Sequence, residues 1–127
     1  MDFSNDLANK LINATVRKLA YTTPSQAYVA LYTSDPTKEN TGTEVSAPTY
    51  YRMALTMGSP DDGFSENISE MEWAVATTVW GTITHIGVMD AEVLGNLMYF
   101  TELVEPKNIT VGDQFQITPS NLKLTLT

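Results

Sequence analysis

Few residues in this chain could carry chemistry. His85, the only histidine, lies in "WGTITHIGVMD", Trp80 to Asp90. An imidazole can serve as a general base or a metal ligand. The first role needs a nucleophile or an orienting carboxylate, and the second needs further ligands. The chain has no cysteine and no second histidine, so a zinc site would be mostly carboxylate. The residues point instead to a neutral imidazole hydrogen-bonded between strands. The acidic turn "SPDDGFSE", Ser59 to Glu66, offers Asp61, Asp62 and Glu66 beside a glycine. Calcium loops follow D-x-D-x-D-G, which is absent, so a solvated turn is the expectation. Tyr50, Tyr51, Trp73 and Trp80 could stack sugars if they shared an exposed face, but aromatics of a β domain are expected in its core. Asn13, Asn67 and Asn108 each open an Asn-X-Ser/Thr triplet, a pattern without meaning unless the chain is secreted. Phosphate-binding glycine loops, a G-x-S-x-G elbow and kinase signatures are missing. No catalytic residue, metal ligand or cofactor is assigned, and the chain is expected not to be an enzyme.

Composition narrows the partners. The 127 residues carry fifteen Asp and Glu against seven Lys and Arg, a net charge of −8. Duplex nucleic acid is excluded as the expected partner, since counterion release needs a concentrated basic surface. No apolar run approaches the roughly 18 residues that span a bilayer. "MDFSNDLANKL" has no apolar core or small-residue cleavage site, so it does not read as a secretory signal. The expectation is a soluble chain that leaves its compartment only within a larger particle.

The elements that would position these residues follow from periodicity. From Phe3 to Leu19 the apolar residues Phe3, Leu7, Ala8, Leu11, Ile12, Ala14 and Leu19 share one side of a helical wheel. Ser4 or Asn5 can cap its start, and Arg17 and Lys18 would fall in its last turn. This helix either lies over one end of a sheet or serves as an arm that docks on a neighbouring subunit. Beyond "YTTPSQ" the pattern becomes strand-like. "AYVALYT" reads as a central strand, and "SDPTKENTGTEVSAP" as a long polar loop. In "TYYRMALTM", Tyr51, Met53, Leu55 and Met57 alternate with Tyr50, Arg52 and Thr56, and "GSPDDG" is a turn. "FSENIS" and "EMEWAV" follow, the latter with Met71, Trp73 and Val75 on one side. A strand from about Thr82 to Met89 would set Ile83, His85, Gly87 and Met89 on one face, and Ile86 and Val88 on the other. "DAEVLGN" connects it to "LMYFTEL", "VGD" precedes "QFQIT", and "PSN" precedes "LKLTLT". One helix and about eight short strands make a mainly β chain, an antiparallel β-sandwich with a jelly roll among its possible topologies. The division is residues 1–20 as helix or arm and 21–127 as the sandwich domain.

Taken together, "YVALYTSDPT", "GTEVSAPTYYRMAL", "WAVATTVWGTITHIGVMDAEVLGNLMYF" and "NITVGDQFQITPSNLKLTL" resemble a family of small tailed-bacteriophage virion proteins, labelled tail fibre or structural proteins. The resemblance covers nearly the whole chain. It rests on Gly42, Thr43, Glu44, Val45, Tyr51, Arg52, Trp80, Gly81, His85, Gly87, Asp90, Gly95, Asn96, Leu97, Gly112 and Asp113. Two departures are "YYR", where a small residue usually precedes Arg, and the variant strand "QFQIT". The resemblance implies a non-enzymatic structural protein of the virion, with His85 in a hairpin ending at the "GN" turn and no catalytic partners in the motif. It implies other virion proteins, capsid or tail, as partners, and a homotrimer, because a small sandwich gains burial by self-association at symmetric sites. The compact length without repeats favours a capsid-surface cement or decoration protein. The alternative is a tail-associated fibre or baseplate protein contributing to host adsorption, with a carbohydrate-binding surface as a further option. Candidate assembly residues are Phe3, Leu7, Leu11, Ile12, Glu44, Arg52, Trp80 and His85.

Overall fold

A computed structural model describes residues 1–126. The fold is mainly β and antiparallel, with one short N-terminal helix. Its centre is a five-stranded sheet in the order β1-β7-β6-β2-β3, made of β1 (Asp2–Phe3), β7 (Leu97–Ile109), β6 (Gly81–Met89), β2 (Ala27–Tyr32) and β3 (Met53–Leu55). Two ribbons form the second layer. One pairs β4 (Phe64–Glu66) with β9 (Lys123–Thr125), and the other pairs β5 (Met71–Glu72) with β8 (Gln116–Ile117). The layers pack as a sandwich of one broad sheet on two narrow ribbons, whereas a jelly roll would divide eight strands between two sheets. The expected last strand, Leu122 to Thr127, is described as far as Leu126.

The sheet is apolar on both faces. Val29, Leu31, Leu55, Ile86 and Val88 join the main core with Trp73, Phe115 and Leu122. Trp73 is fully buried and meets the Phe115 ring edge-on at 5.3 Å. On the other face Ala30, Tyr32, Met89, Leu97 and Phe100 form a second cluster. The loop after β2 returns to this face, where Pro36 is buried and the Tyr32 hydroxyl donates to Asn40 Oδ1 at 2.9 Å. The central strand was expected from "AYVALYT" because a strand buried on both faces has no polar alternation.

Gly87 makes that second face possible. A Cβ there would sit 2.9 Å from Tyr32 Cε1 and 2.7 Å from Leu97 Cδ1, so the missing side chain is the space the Tyr32 ring occupies.

The helix is shorter than the wheel pattern predicts. It runs Asn5–Thr15 as α1, with Ser4 as its N-cap and the Ser4 Oγ accepting from Leu7 N–H. Phe3 lies outside it, paired with Tyr99 in β1. Beyond Thr15 the β-branched Val16 is a poor propagator and Lys18 takes a left-handed conformation (φ 58°), so Arg17 and Lys18 fall after the last turn. Leu7 is buried, but Ile12, Val16 and Leu19 are 54%, 77% and 48% exposed.

Two other alternations shift. Ile83 faces Lys107 while His85 faces Glu102, so Leu103 to Pro106 bulge out of β7. Pro106, which cannot donate to a ladder, suits this position. The irregularity places Ile83 in the main core with Ile86, and not on the side of His85. Before Met53 there is no strand, so Tyr50 turns inward and Tyr51 is 53% exposed.

Asn67 holds the ribbons together. It is 1% exposed, its Oδ1 accepts from the N–H groups of Asn121 and Leu122, and its Nδ2 donates to the carbonyls of Ser69 and Thr118. All four side-chain hydrogen-bond positions are filled, which closes this triplet to a glycan.

Candidate functional site

Five of the eight candidate residues fall in or beside one region, where the loop after β2, the approach to β3 and the β6–β7 hairpin tip meet. Glu44 arrives in a bridge opposite Tyr32, and Arg52 stands just before β3. Arg52 Nε and Nη2 grip the Glu44 carboxylate at 2.9 and 2.8 Å. The parallel geometry of a guanidinium on a carboxylate makes this a directional contact. The Tyr50 hydroxyl donates to Glu44 Oε2 at 2.6 Å and accepts from the Leu31 N–H at 3.0 Å, tying the pair to the central strand. Arg52 Nη1 reaches the carbonyls of Ala91 and Leu94, 2.9 and 2.6 Å away, and so fastens the hairpin tip. Asp90 closes that tip by accepting from the Asn96 N–H at 2.7 Å, and Gly95 makes the turn at φ 76°.

The surroundings strengthen the cluster. The Arg52 side chain is 9% exposed and that of Glu44 25%. The bond to Glu44 raises the Arg52 pKa despite desolvation. Burial, and then the bond to Glu44, push the Tyr50 phenol well above the ordinary tyrosine range. Burial takes Tyr32 up to about 12. Trp80, 5% exposed, meets the Tyr50 ring edge-on at 5.6 Å and backs the cluster from the core.

His85 sits one strand away. It is half-buried on β6, paired with Tyr32 on one side and Glu102 on the other, and its Nδ1 shares a 2.8 Å hydrogen bond with Thr84 Oγ1. It lines a polar depression of about 370 Å³ with Asp2, Asp35, Thr101 and Glu102. Tyr32 links it to the cluster, bridged to Glu44 as well as paired with His85.

The N-terminal candidates approach the same hairpin. The Ser4 N–H donates to the Met98 carbonyl and its hydroxyl to the Leu97 carbonyl. Lys38 lies 5.3 Å from the centre of the Phe3 ring and donates to the Phe3 carbonyl. Leu7 belongs to the core and Leu11 packs against it, while Ile12 points outward. The structure thus joins Glu44, Arg52 and Trp80 through Tyr50, places Phe3 and His85 beside them, and leaves the helix face separate. Tyr50 was read as a possible sugar platform, with the core expected for such aromatics, and was set on the Arg52 side of the strand alternation. Its proximity to Arg52 in "TYYR" was the available signal, but one-dimensional alternation could not show that it turns inward.

This arrangement is a clamp. Arg52 directs four hydrogen bonds at protein acceptors, and Glu44 receives three. Of the possible sugar platforms, Trp73 and Trp80 are buried and Tyr50 is largely so. Only Tyr51 is open, beside a shallow depression of about 360 Å³ shared with Glu92, Val93 and Leu94. Among the described residues, no helix is long and apolar enough to cross a membrane.

No curated protein matches the chain. The family model described as podophage GP4 fiber I protein gp80 matches residues 2–125, which include every element described above from β1 to β9. The clamp residues, the hairpin and the terminal ribbon strands therefore all lie within the match, and the chain belongs to the podophage GP4 fiber I protein gp80 family.

Proposed function

We propose that this protein is a tail-associated fibre component of a phage virion, working without catalysis as a homotrimer and contributing to host adsorption. The family match over residues 2–125 carries this reading. Membership makes the chain a structural phage protein that associates with other virion proteins. The capsid-cement reading rested on length and compactness, and the family match favours a fibre. A rigid clamp suits a part that must hold its surface geometry under load, because its polar groups are already engaged within the chain. A glycan-binding role would have to rest on Tyr51 and the charged rim of its depression, since the other aromatic platforms are covered.

Copy number tests the location. Purified virions would be digested and this chain quantified against the major capsid protein by calibrated mass spectrometry. A ratio of a few to a few dozen copies per particle is expected for a tail fibre. Hundreds of copies would overturn that reading and restore capsid decoration.

A further inference from the structure

Two exposed regions of opposite character lie beyond the clamp. The first is the corner that ends α1. Val16, Arg17, Lys18 and Leu19 are all exposed there, with Ile12 on the preceding turn. The corner is shaped, not frayed: Lys18 takes φ 58°, and the Leu19 N–H donates to the Asn13 carbonyl at 2.8 Å. Arg17 bonds the Asn13 side chain, and neither Arg17 nor Lys18 makes an ion pair among the described residues. Two unneutralised cations beside three exposed aliphatic side chains are unusual on a chain of net charge −8.

The second region is the segment from Asp61 to Glu72. It carries Asp61, Asp62, Glu66, Glu70 and Glu72 and no Lys or Arg. Phe64 and Ile68 are exposed within it, at 37% and 59%. One base, Lys123, stands opposite Glu66 in the strand register, but none of the five carboxylates makes an ion pair among the described residues. The regions also belong to different parts of the sheet. The helix packs on β7, whereas the acidic segment continues from β3 through hydrogen bonds between Thr56–Gly58 and Glu66–Ile68. One region is apolar and basic, the other apolar and acidic.

We propose that the Ile12–Leu19 corner of one copy docks on the Asp61–Glu72 segment of a second copy. Charge complementarity selects the occupant: the basic corner needs an acidic, partly apolar surface, and this chain presents one beyond β3. Because the surfaces differ, the contact is head-to-tail, and such contacts close into rings when their rotation permits. The contact deepens the homotrimer reading and rests on its self-association, but not on a tail location.

The experiment is sedimentation of the full chain and three charge variants at matched concentration, with circular dichroism to confirm folding. The wild type should sediment as an oligomer that weakens as ionic strength rises from about 0.1 to about 1 M, where screening shortens from ~10 to ~3 Å. R17E/K18E should weaken association at least ~10-fold. E70K/E72K should do the same although it lowers the net negative charge, which separates patch matching from general repulsion. The quadruple variant R17E/K18E/E70K/E72K restores both complementarity and net charge, and should recover the oligomer. A folded R17E/K18E or E70K/E72K chain that remains oligomeric would overturn the contact while leaving self-association standing. A monomeric wild type would overturn both, and the corner would then be assigned to a different virion protein.

Discussion

The clamp and the Asn67 centre perform the same task with different chemistry. Each uses one side chain to gather loops that strand pairing leaves apart. At the clamp, Arg52 and Glu44 form a charge-assisted pair at the rim, where part of the carboxylate still meets water. At the ribbons, a neutral amide is enclosed and bonded only to backbone. A buried amide with complete partners avoids the desolvation cost of an ion, but its loss breaks four hydrogen bonds at once and strands the Leu122 N–H and the Ser69 carbonyl. The rim pair gives direction and tolerates solvent, which suits a hairpin tip presented at the surface. The ribbon layer is therefore expected to be the more brittle of the two.

Replacing Asn67 with alanine tests this most severely. It would remove four hydrogen bonds, leaving the Leu122 N–H and the Ser69 carbonyl without a partner and the Asn121 N–H and Thr118 carbonyl with only their mutual 3.3 Å contact, at a cost of roughly 3–5 kcal/mol. Urea unfolding should show the midpoint falling accordingly, and a loss below that of R52A would reverse the ranking. R52A should cost about 2–3 kcal/mol by leaving Glu44 without its guanidinium, a penalty below the fully buried limit because the carboxylate is partly solvated. R52K should recover little, because an ammonium cannot grip the carboxylate in parallel and reach two carbonyls. Hydrogen exchange at residues 91–96 would show whether the hairpin tip loosens first.

G87A probes the sheet face behind the clamp. The added methyl must displace the Tyr32 ring or the Leu97 side chain, at about 1–3 kcal/mol by analogy with overpacked cores. Unchanged thermal stability would mean that the ring has room to move. The smallest effect near neutrality comes from the tyrosines. Tyr32, Tyr50 and Tyr99 hold their protons more tightly when folded. The folded state then binds more protons than the unfolded one above the ordinary tyrosine pKa of about 10. Their contribution is complete below that pH and is lost as pH rises through the folded values, about 12 for Tyr32. The phenolate absorbance of these three should rise late and together with alkaline unfolding. Early ionisation of all six tyrosines, while the fold persists, would contradict the clamp's burial.

Much of this molecule was legible before its fold was known. Local rules were enough wherever one strand or turn decided the outcome. "AYVALYT" is apolar on both faces and is the central strand. "GSPDDG", "DAEVLGN" and "VGD" are turns because Gly, Asp and Asn relieve backbone sterics there. The conjunction of Glu44, Arg52 and the "GN" hairpin was visible as a family pattern, without the contacts that explain it. Three readings missed for one reason. The helix start, where Phe3 is drawn into pairing with Tyr99, the face of Ile83 and the side of Tyr50 in the strand alternation each depend on neighbours distant in the chain. A bulge against β7 rotates Ile83, and an edge-on Trp80 receives Tyr50, yet neither leaves a mark in local periodicity.

By itself, the sequence determined a mainly β chain with one amphipathic N-terminal helix, an acidic surface, and its phage-fibre kinship. Those properties follow from composition, from period-two and helical patterning, and from residues in fixed order. Only tertiary structure decided that Asn67 is a buried backbone centre, that Tyr50 completes the clamp, and that the basic corner follows a helix on β7 while the acidic segment continues from β3. Each arises where segments tens of residues apart compete for the same space and the same hydrogen-bond partners, a contest that packing settles and local propensity does not.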